Sequence, residues 1–203
     1  MESTQQPNTF TNYKKTIRLS NSDWQTAKAG KICELNVTVK NDNYLEDQYG
    51  RKLHHFCTTS YLGLDYHPAI LEGAIQGIIT AKTLRIANSK NRCKLKLLEQ
   101  YESELSILFN SICLSTLSCS AASAGLLPLL ASGALTNNCP PSIVFDKHSH
   151  YSMNHIKASC ADETEIITAP HNDISFIEDI CKTRRSVAYV ADGTYSMGGT
   201  DRY

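Results

Sequence analysis

Several features are missing from this 203-residue chain, and each absence excludes a class of protein. Net charge is absent, because twenty Lys and Arg stand against twenty Asp and Glu. Without a basic excess there is no electrostatic footprint for nucleic acid or for an anionic membrane surface, so neither is an expected partner. The same neutrality leaves little charge repulsion to oppose self-association. No apolar run can span a bilayer. The longest weakly polar stretch, Ala121 to Leu135, falls short of the ~20 residues a membrane helix needs and contains Gly125, Pro128 and Gly133. Met1 to Asn12 is polar and lacks the basic-then-apolar layout of a secretion leader, so the chain reads as soluble and cytoplasmic. Eight cysteines are present, but no Cys-x-x-Cys pair and no His at ligand spacing accompanies them, which argues against zinc and against a disulfide framework. They read instead as small buried hydrophobes in a reducing compartment. Tryptophan is represented only by Trp24.

A hydrophobic content of 41% suffices to bury a sizeable core. Three parts follow from the patterning. Residues 1–45 read as an N-terminal arm, polar and poor in pattern until Leu35 to Val39 alternates like a short strand. Residues 46–110 form an opening segment with helices. Turn chemistry at Gln48-Tyr49-Gly50-Arg51 comes first, then Pro68 at a helix start with Ile70, Leu71, Ala74, Ile75, Ile78 and Ile79 at helical spacing to about Lys82. Leu98, Tyr101, Leu105 and Leu108 predict a second helix ending near Phe109. Residues 111–203 alternate. Strands are predicted at Ile112–Leu117, Ile143–Asp146, Glu165–Ala169 and Val187–Ala191, with helices over Ser120–Ser132, His150–Ser159 and Asp173–Lys182 between them. Such alternation implies crossover connections and a mostly parallel sheet. Val187–Ala191 reads as a strand buried on both faces, and it opens the stretch Val187 to Thr200 around which the chain is expected to be organised.

Three stretches carry candidate chemistry. Ser118-Cys119-Ser120 opens a helix of small residues, where unpaired N–H groups and the positive dipole end suit a phosphate; an ordinary Ser N-cap is the plain structural alternative. Asp146-Lys147-His148-Ser149-His150-Tyr151-Ser152 follows a strand, and its His-x-His reads from the residues alone as a surface pair or half of a metal site. No third ligand points to a metal, so none is expected. Asp192-Gly193-Thr194-Tyr195-Ser196-Met197-Gly198-Gly199 is a polar, glycine-rich loop at a strand's carboxyl end, where open α/β sheets bind ligands. Pro170-His171-Asn172-Asp173 is a good helix cap and nothing more.

The loop 192–199 resembles the Asp/Glu-Gly-Val-Tyr/Phe-Ser-Met-Asp/Gly-Gly signature of the α-oxoamine synthases. Asp146-x-x-x-His150-x-Ser152 and His171-Asn172-Asp173 match further motifs of that family in order. So do Asp47, Gly50, Arg51, Phe56, Tyr61 to Leu64, His67 and Pro68. The resemblance implies the N-terminal portion of the large α/β domain of fold type I pyridoxal-phosphate enzymes. It also implies an acyltransferase that condenses an amino acid with an acyl-CoA, with loss of carbon dioxide, as a homodimer. By the same resemblance, pyridoxal 5'-phosphate would rest its phosphate on Ser118, Cys119 and Ser120 and its ring under His150, with His148 a bystander. Ser196 would sit by the phenolic oxygen, Asp192 would line the pocket, and Thr59 would stand where the family usually has an Asn for the substrate carboxylate. Ser89-Lys90 and Leu95 depart from the family's Gly-Thr and His and lean toward its quorum-sensing branch. The family's pyridine-pairing Asp and Schiff-base Lys have no counterpart before Tyr203. The 203-residue chain alone is therefore expected to be inactive: a fragment, a truncated homologue or a non-catalytic subunit.

Overall fold

The computed structural model describes residues 13–41, 43–56, 60, 62–84, 86 and 89–195. They fall into two compact units, one of residues 14–114 and one beginning at Ser115.

The first unit opens with α1 (Tyr13–Ala29), which corrects the expectation of a patternless arm. The segment has no Pro or Gly to break it, and helix-tolerant polar residues suffice. Three short strands follow, β1 (Val37–Asn41), β2 (Tyr44–Asp47) and β3 (Lys52–His54), in an antiparallel meander. β1 starts two residues later than its alternation predicts, and β2 and β3 are too short to give a periodic signal. The β2–β3 turn is where Gln48 to Arg51 predict it. Buried Asp47 builds it by accepting the N–H groups of Tyr49 and Arg51, each at 2.9 Å, and Arg51 Nε at 2.6 Å. Helix α2 (Pro68–Ala81) starts at the expected proline, capped by His67 Nδ1 accepting the Ala69 N–H at 3.3 Å. Helix α3 (Lys96–Leu108) is tied down by Glu102, a buried carboxylate paired with Lys90 and Lys94.

The second unit holds α4 (Cys119–Ala131), β4 (Ser142–Asp146), α5 (Tyr151–Asn154), α6 (Lys157–Ala161), β5 (Ile166–Ala169), α7 (Ile174–Thr183) and β6 (Val187–Val190). The strands pair in the order β5-β4-β6, all parallel, as the alternation predicts. Ile143 and Phe145 point to one face and meet Leu127 and Ala131 of α4, Met153 of α5 and Cys160 of α6. Val144 points to the other face and shares a cluster with Ile180, Phe176 and Ile177 of α7. Period-2 alternation on a strand covered on both sides leaves β4 buried from Ile143 to Asp146.

Four expectations are corrected here. Val187–Ala191 is not a strand buried on both faces: among the described residues β6 pairs only with β4 and is mostly half-buried, and the central strand is β4. Ile112–Leu117 is not a strand, although its composition suits one. No described strand lies beside it to take its backbone groups, and Ile112, Leu114 and Leu117 stay exposed. The predicted helix over His150–Ser159 is also broken in two, with a tighter turn at Ile156, whose N–H reaches back three residues to Met153. The seven described cysteines are free and only Cys160 is buried, so the buried-hydrophobe reading holds at that position alone. Burial pushes the Cys160 thiol up to about 11. Thiol-specific labelling of the native chain should therefore modify Cys93, Cys119, Cys139 and Cys181 and spare Cys160.

At the amino edge of the sheet, Arg184 holds Glu165 through two bonds of 2.7 Å, and Ser142 Oγ donates to the same carboxylate. The Arg184 guanidinium, followed by Ser142, holds Glu165 down at about 2 from an ordinary 4.5. A depressed carboxyl stabilises the fold fully above its unfolded value and loses that contribution as pH falls through its folded value. The melting temperature should therefore drop as pH goes from about 4.5 to about 2, and Glu165→Gln should make that acid limb shallower. Solvent screens the pair, so the change is small. Identical acid limbs in the two proteins would refute it.

Candidate active site

In a parallel sheet every strand ends on the same side, so the loops after β4, β5 and β6 converge at one carboxyl edge. The loop after β4 carries Lys147 to His150, the loop after β5 carries His171, and the loop after β6 carries Asp192 and Tyr195. Helix α4 packs against α5, which begins directly after His150, through Leu127, Leu130 and Ala131, and its N-terminal residues Ser118, Cys119 and Ser120 belong to the same unit.

His150 is exposed but firmly held. Its N–H donates to Asp192 Oδ2 at 2.6 Å. Its Nδ1 accepts the Ser152 N–H at 3.2 Å and lies 2.9 Å from Ser152 Oγ. A ring nitrogen that accepts from a backbone N–H carries no proton, so the neutral imidazole is protonated at Nε2. One residue earlier, buried Ser149 donates its hydroxyl to Val190 O at 3.0 Å and accepts from Asn154 Nδ2 at its carbonyl. The loop is thus stitched to the end of β6 at two consecutive residues.

Asp146, at the end of β4, is fully buried and still charged. Its Oδ1 accepts the His148 N–H at 2.7 Å, Tyr189 donates its hydroxyl to Oδ2 at 2.9 Å, and His171 Nδ1 lies 2.9 and 3.0 Å from the two oxygens. Burial pushes its carboxyl up, but the donors from His148, His171 and Tyr189 outweigh that and hold it below the usual carboxylate range. His148 stacks on His171 with ring centroids 4.4 Å apart, and buried Tyr195 meets His171 edge-on at 4.5 Å.

Ser118 is the N-cap of α4, its Oγ accepting the Ala121 N–H at 3.1 Å. The capping bond uses a lone pair and leaves the hydroxyl proton to donate outward. The N–H groups of Cys119 and Ser120 lie in the first turn, where a helix provides no partner. This donor set fits a phosphate, and an exposed imidazole fixed from behind fits a flat heteroaromatic ring.

Of the residues singled out in the sequence, His150 and Asp192 are bonded to each other, and Ser118, Cys119 and Ser120 stand at the start of α4. Asp192 binds the backbone of His150, a more specific contact than lining a pocket. Thr59 and Ser196 lie outside the described residues. His148 donates its N–H to Asp146 and stacks on His171. Asp146 and His171 stand in the motifs without a role in the site, and Tyr189 is outside them; the one available signal for the cluster is an acid closing an apolar strand, Ile143-Val144-Phe145-Asp146. Among the described residues no three His, Cys, Asp or Glu side chains converge as metal ligands, and no helix is long and apolar enough to cross a membrane.

No family model matches the chain. A serine palmitoyltransferase from Bacteriovorax stolpii is 29% identical over 159 residues, covering 74% of this chain and 35% of that protein. A serine palmitoyltransferase variant from S. paucimobilis, solved with PLP and myriocin bound, superposes with a TM-score of 0.73 at 15% identity, over 93% of this chain and 47% of that one. The Sphingomonas wittichii serine palmitoyltransferase gives 0.71 at 17% identity, over 91% and 46%. An acetylornithine aminotransferase from Elizabethkingia anophelis gives 0.51 at 14% identity, over 86% and 44%. The chain thus spans 35% of the curated relative and under half of the solved chains. At these identities the solved structures speak for the fold, the N-terminal portion of the fold type I PLP-dependent transferase large domain, with a parallel sheet and flanking helices. In motif order, sequence match and fold, the chain is thus similar to the N-terminal part of serine palmitoyltransferases of the α-oxoamine synthase family.

Proposed function

We propose that the chain is the cofactor-binding N-terminal part of a pyridoxal-phosphate acyltransferase that condenses an amino acid with an acyl-CoA and releases carbon dioxide. The observation that carries this reading is His150: exposed, fixed through its N–H to Asp192 and through Nδ1 to Ser152, at the carboxyl edge of a parallel sheet. When bound, pyridoxal phosphate supplies the electron sink that lets a bond at the amino acid's α-carbon break. The residues of this chain do the holding. Ser118 Oγ–H and the N–H groups of Cys119 and Ser120 would take the phosphate, and the His150 imidazole would lie against one ring face. Asp192 keeps the His150 backbone in place. Ser196 would donate near the ring's phenolic oxygen and Thr59 would meet the substrate carboxylate. A homodimer in the cytoplasm completes the reading, with the remaining cofactor-pairing and covalent groups supplied by polypeptide outside these 203 residues.

Pyridoxamine 5'-phosphate tests the site directly, because it has the ring and the phosphate but cannot form an imine with surface lysines. Calorimetric titration into the purified chain should show saturable binding. His150→Ala should weaken it about tenfold, as a ring contact of ~1.4 kcal/mol implies. Ser118→Ala should weaken both the ligand and the helix cap. Binding that ignores both substitutions would sink the assignment.

A further inference from the structure

We infer that Asp146, with His171 and Tyr189, is a positioning group for His150. It is not a mere fold anchor. This rests on the reading above that His150 lies against a pyridine ring. The three donors to Asp146 come from three different places at the carboxyl edge: His148 N–H from the loop after β4, His171 Nδ1 from the loop after β5, and the Tyr189 hydroxyl from β6. A fully buried carboxylate costs several kcal/mol to desolvate, and an apolar residue of similar volume commonly serves stability as well or better. What the arrangement supplies is geometry.

The path to His150 is short. Asp146 fixes His148, and the next residue, Ser149, is fixed to Val190 O at 3.0 Å. The residue after that is His150, fixed to Asp192 at 2.6 Å. Three successive residues are each pinned by a different group at the strand ends, so the backbone that aims the imidazole has no freedom to drift along the edge. His171 completes the brace. With Nδ1 within 3.0 Å of both Asp146 oxygens it carries its proton there, and its ring face supports His148 at 4.4 Å. A site held from behind in this way keeps its contact group at a productive angle without any of the bracing residues touching the ligand.

Asp146→Asn keeps the shape, but an NH₂ group in place of Oδ2 accepts from neither Tyr189 nor His171. Tyr189→Phe removes a single O–H donor and is the safer variant should Asp146→Asn fail to fold. Nuclear magnetic resonance of the 203-residue chain, titrated with pyridoxamine 5'-phosphate, reads the outcome. In the unaltered chain the His150 ring protons should shift upfield at saturation, the signature of a stacked ring. In Asp146→Asn that saturating shift should fall by about half or more and affinity by about tenfold, since small misplacements cost heavily. Tyr189→Phe should change both in the same direction, by less. A residue that only supported the fold would lower the melting temperature and leave the saturating shift of the folded molecules unchanged, and that result overturns the inference. Should the unaltered chain bind no pyridoxamine 5'-phosphate, the cofactor reading fails by itself. Positioning is then decided by the unliganded His150 amide proton, which the 2.6 Å bond to a carboxylate places far downfield. If it keeps that position in both variants, Asp146 does not position His150.

Discussion

Phe145→Ala should cost about 3–5 kcal/mol and leave the sheet-bearing unit unfolded or close to it, because small domains have only ~5–15 kcal/mol in hand. Phe145 is fully buried on the central strand, paired with Thr168 on one side and Val190 on the other. Its ring fills the layer between the sheet and α4–α6, beside Leu127, Ala131, Ile143 and Cys160. Lys157 Nζ also rides over it at 4.9 Å, a cation–π attraction that disappears with the ring. The neighbours are anchored by strand pairing and by two helix layers, so the site cannot collapse to refill the space, and the cavity term adds to the transfer term. Urea denaturation followed by circular dichroism is the measurement. Trp24 belongs to α1, in the other unit, so its fluorescence would miss the event. A destabilisation under 1 kcal/mol would mean the core is centred elsewhere.

The sheet and its helices are legible in the sequence because each segment there carries its own signal. Val-Ala-Tyr-Val and Ser-Ile-Val-Phe-Asp are short apolar runs ended by polar loops. Asp173 before Ile174, Ile177 and Ile180 is a helix start that the structure repeats, its Oδ1 accepting the Phe176 N–H at 2.9 Å. What cannot be read is relational. Local pattern does not say which strand lies in the middle, so Val187–Ala191 reads as buried on both faces when it is β4 that has both neighbours. Ile112–Leu117 has strand composition, but a strand exists only if another lies beside it. The site divides the same way. His150 and Asp192 belong to motifs and can be named, whereas the Asp146–His171–Tyr189 brace joins residues 25 and 43 positions apart and has no local signature. His171 is legible as part of a cap, and its bond to Asp146 is not.

Expressed by itself, the 203-residue chain should self-associate, and the double substitution Ile112→Gln with Leu117→Gln should reduce that association without lowering stability. Ile112 and Leu117 are 92% and 102% exposed, so they bury nothing that the fold depends on. Exposed positions of this kind change stability by no more than about 0.5 kcal/mol when made polar. They nevertheless belong to an apolar run that continues through Leu114, and α2 separately presents Ile70, Leu71, Ile75, Ile78 and Ile79 about half exposed. Monomeric proteins rarely leave apolar runs of this length uncovered. β6 adds an edge, since among the described residues only β4 pairs with it, and an unpaired strand edge is a template for another chain. A formal charge of zero offers no repulsion to hold copies apart. Size exclusion across a concentration series should show apparent mass rising with concentration in the unaltered chain and a weaker rise in the double variant, with superimposable thermal melts. Burial separates these positions from Phe145. One large apolar residue at zero exposure and two near full exposure should give opposite outcomes, unfolding in the first case and improved solution behaviour in the second. A sharp, concentration-independent monomer from the unaltered chain would show that these surfaces do not associate and that α2 and residues 112–117 are tolerated in water as they stand.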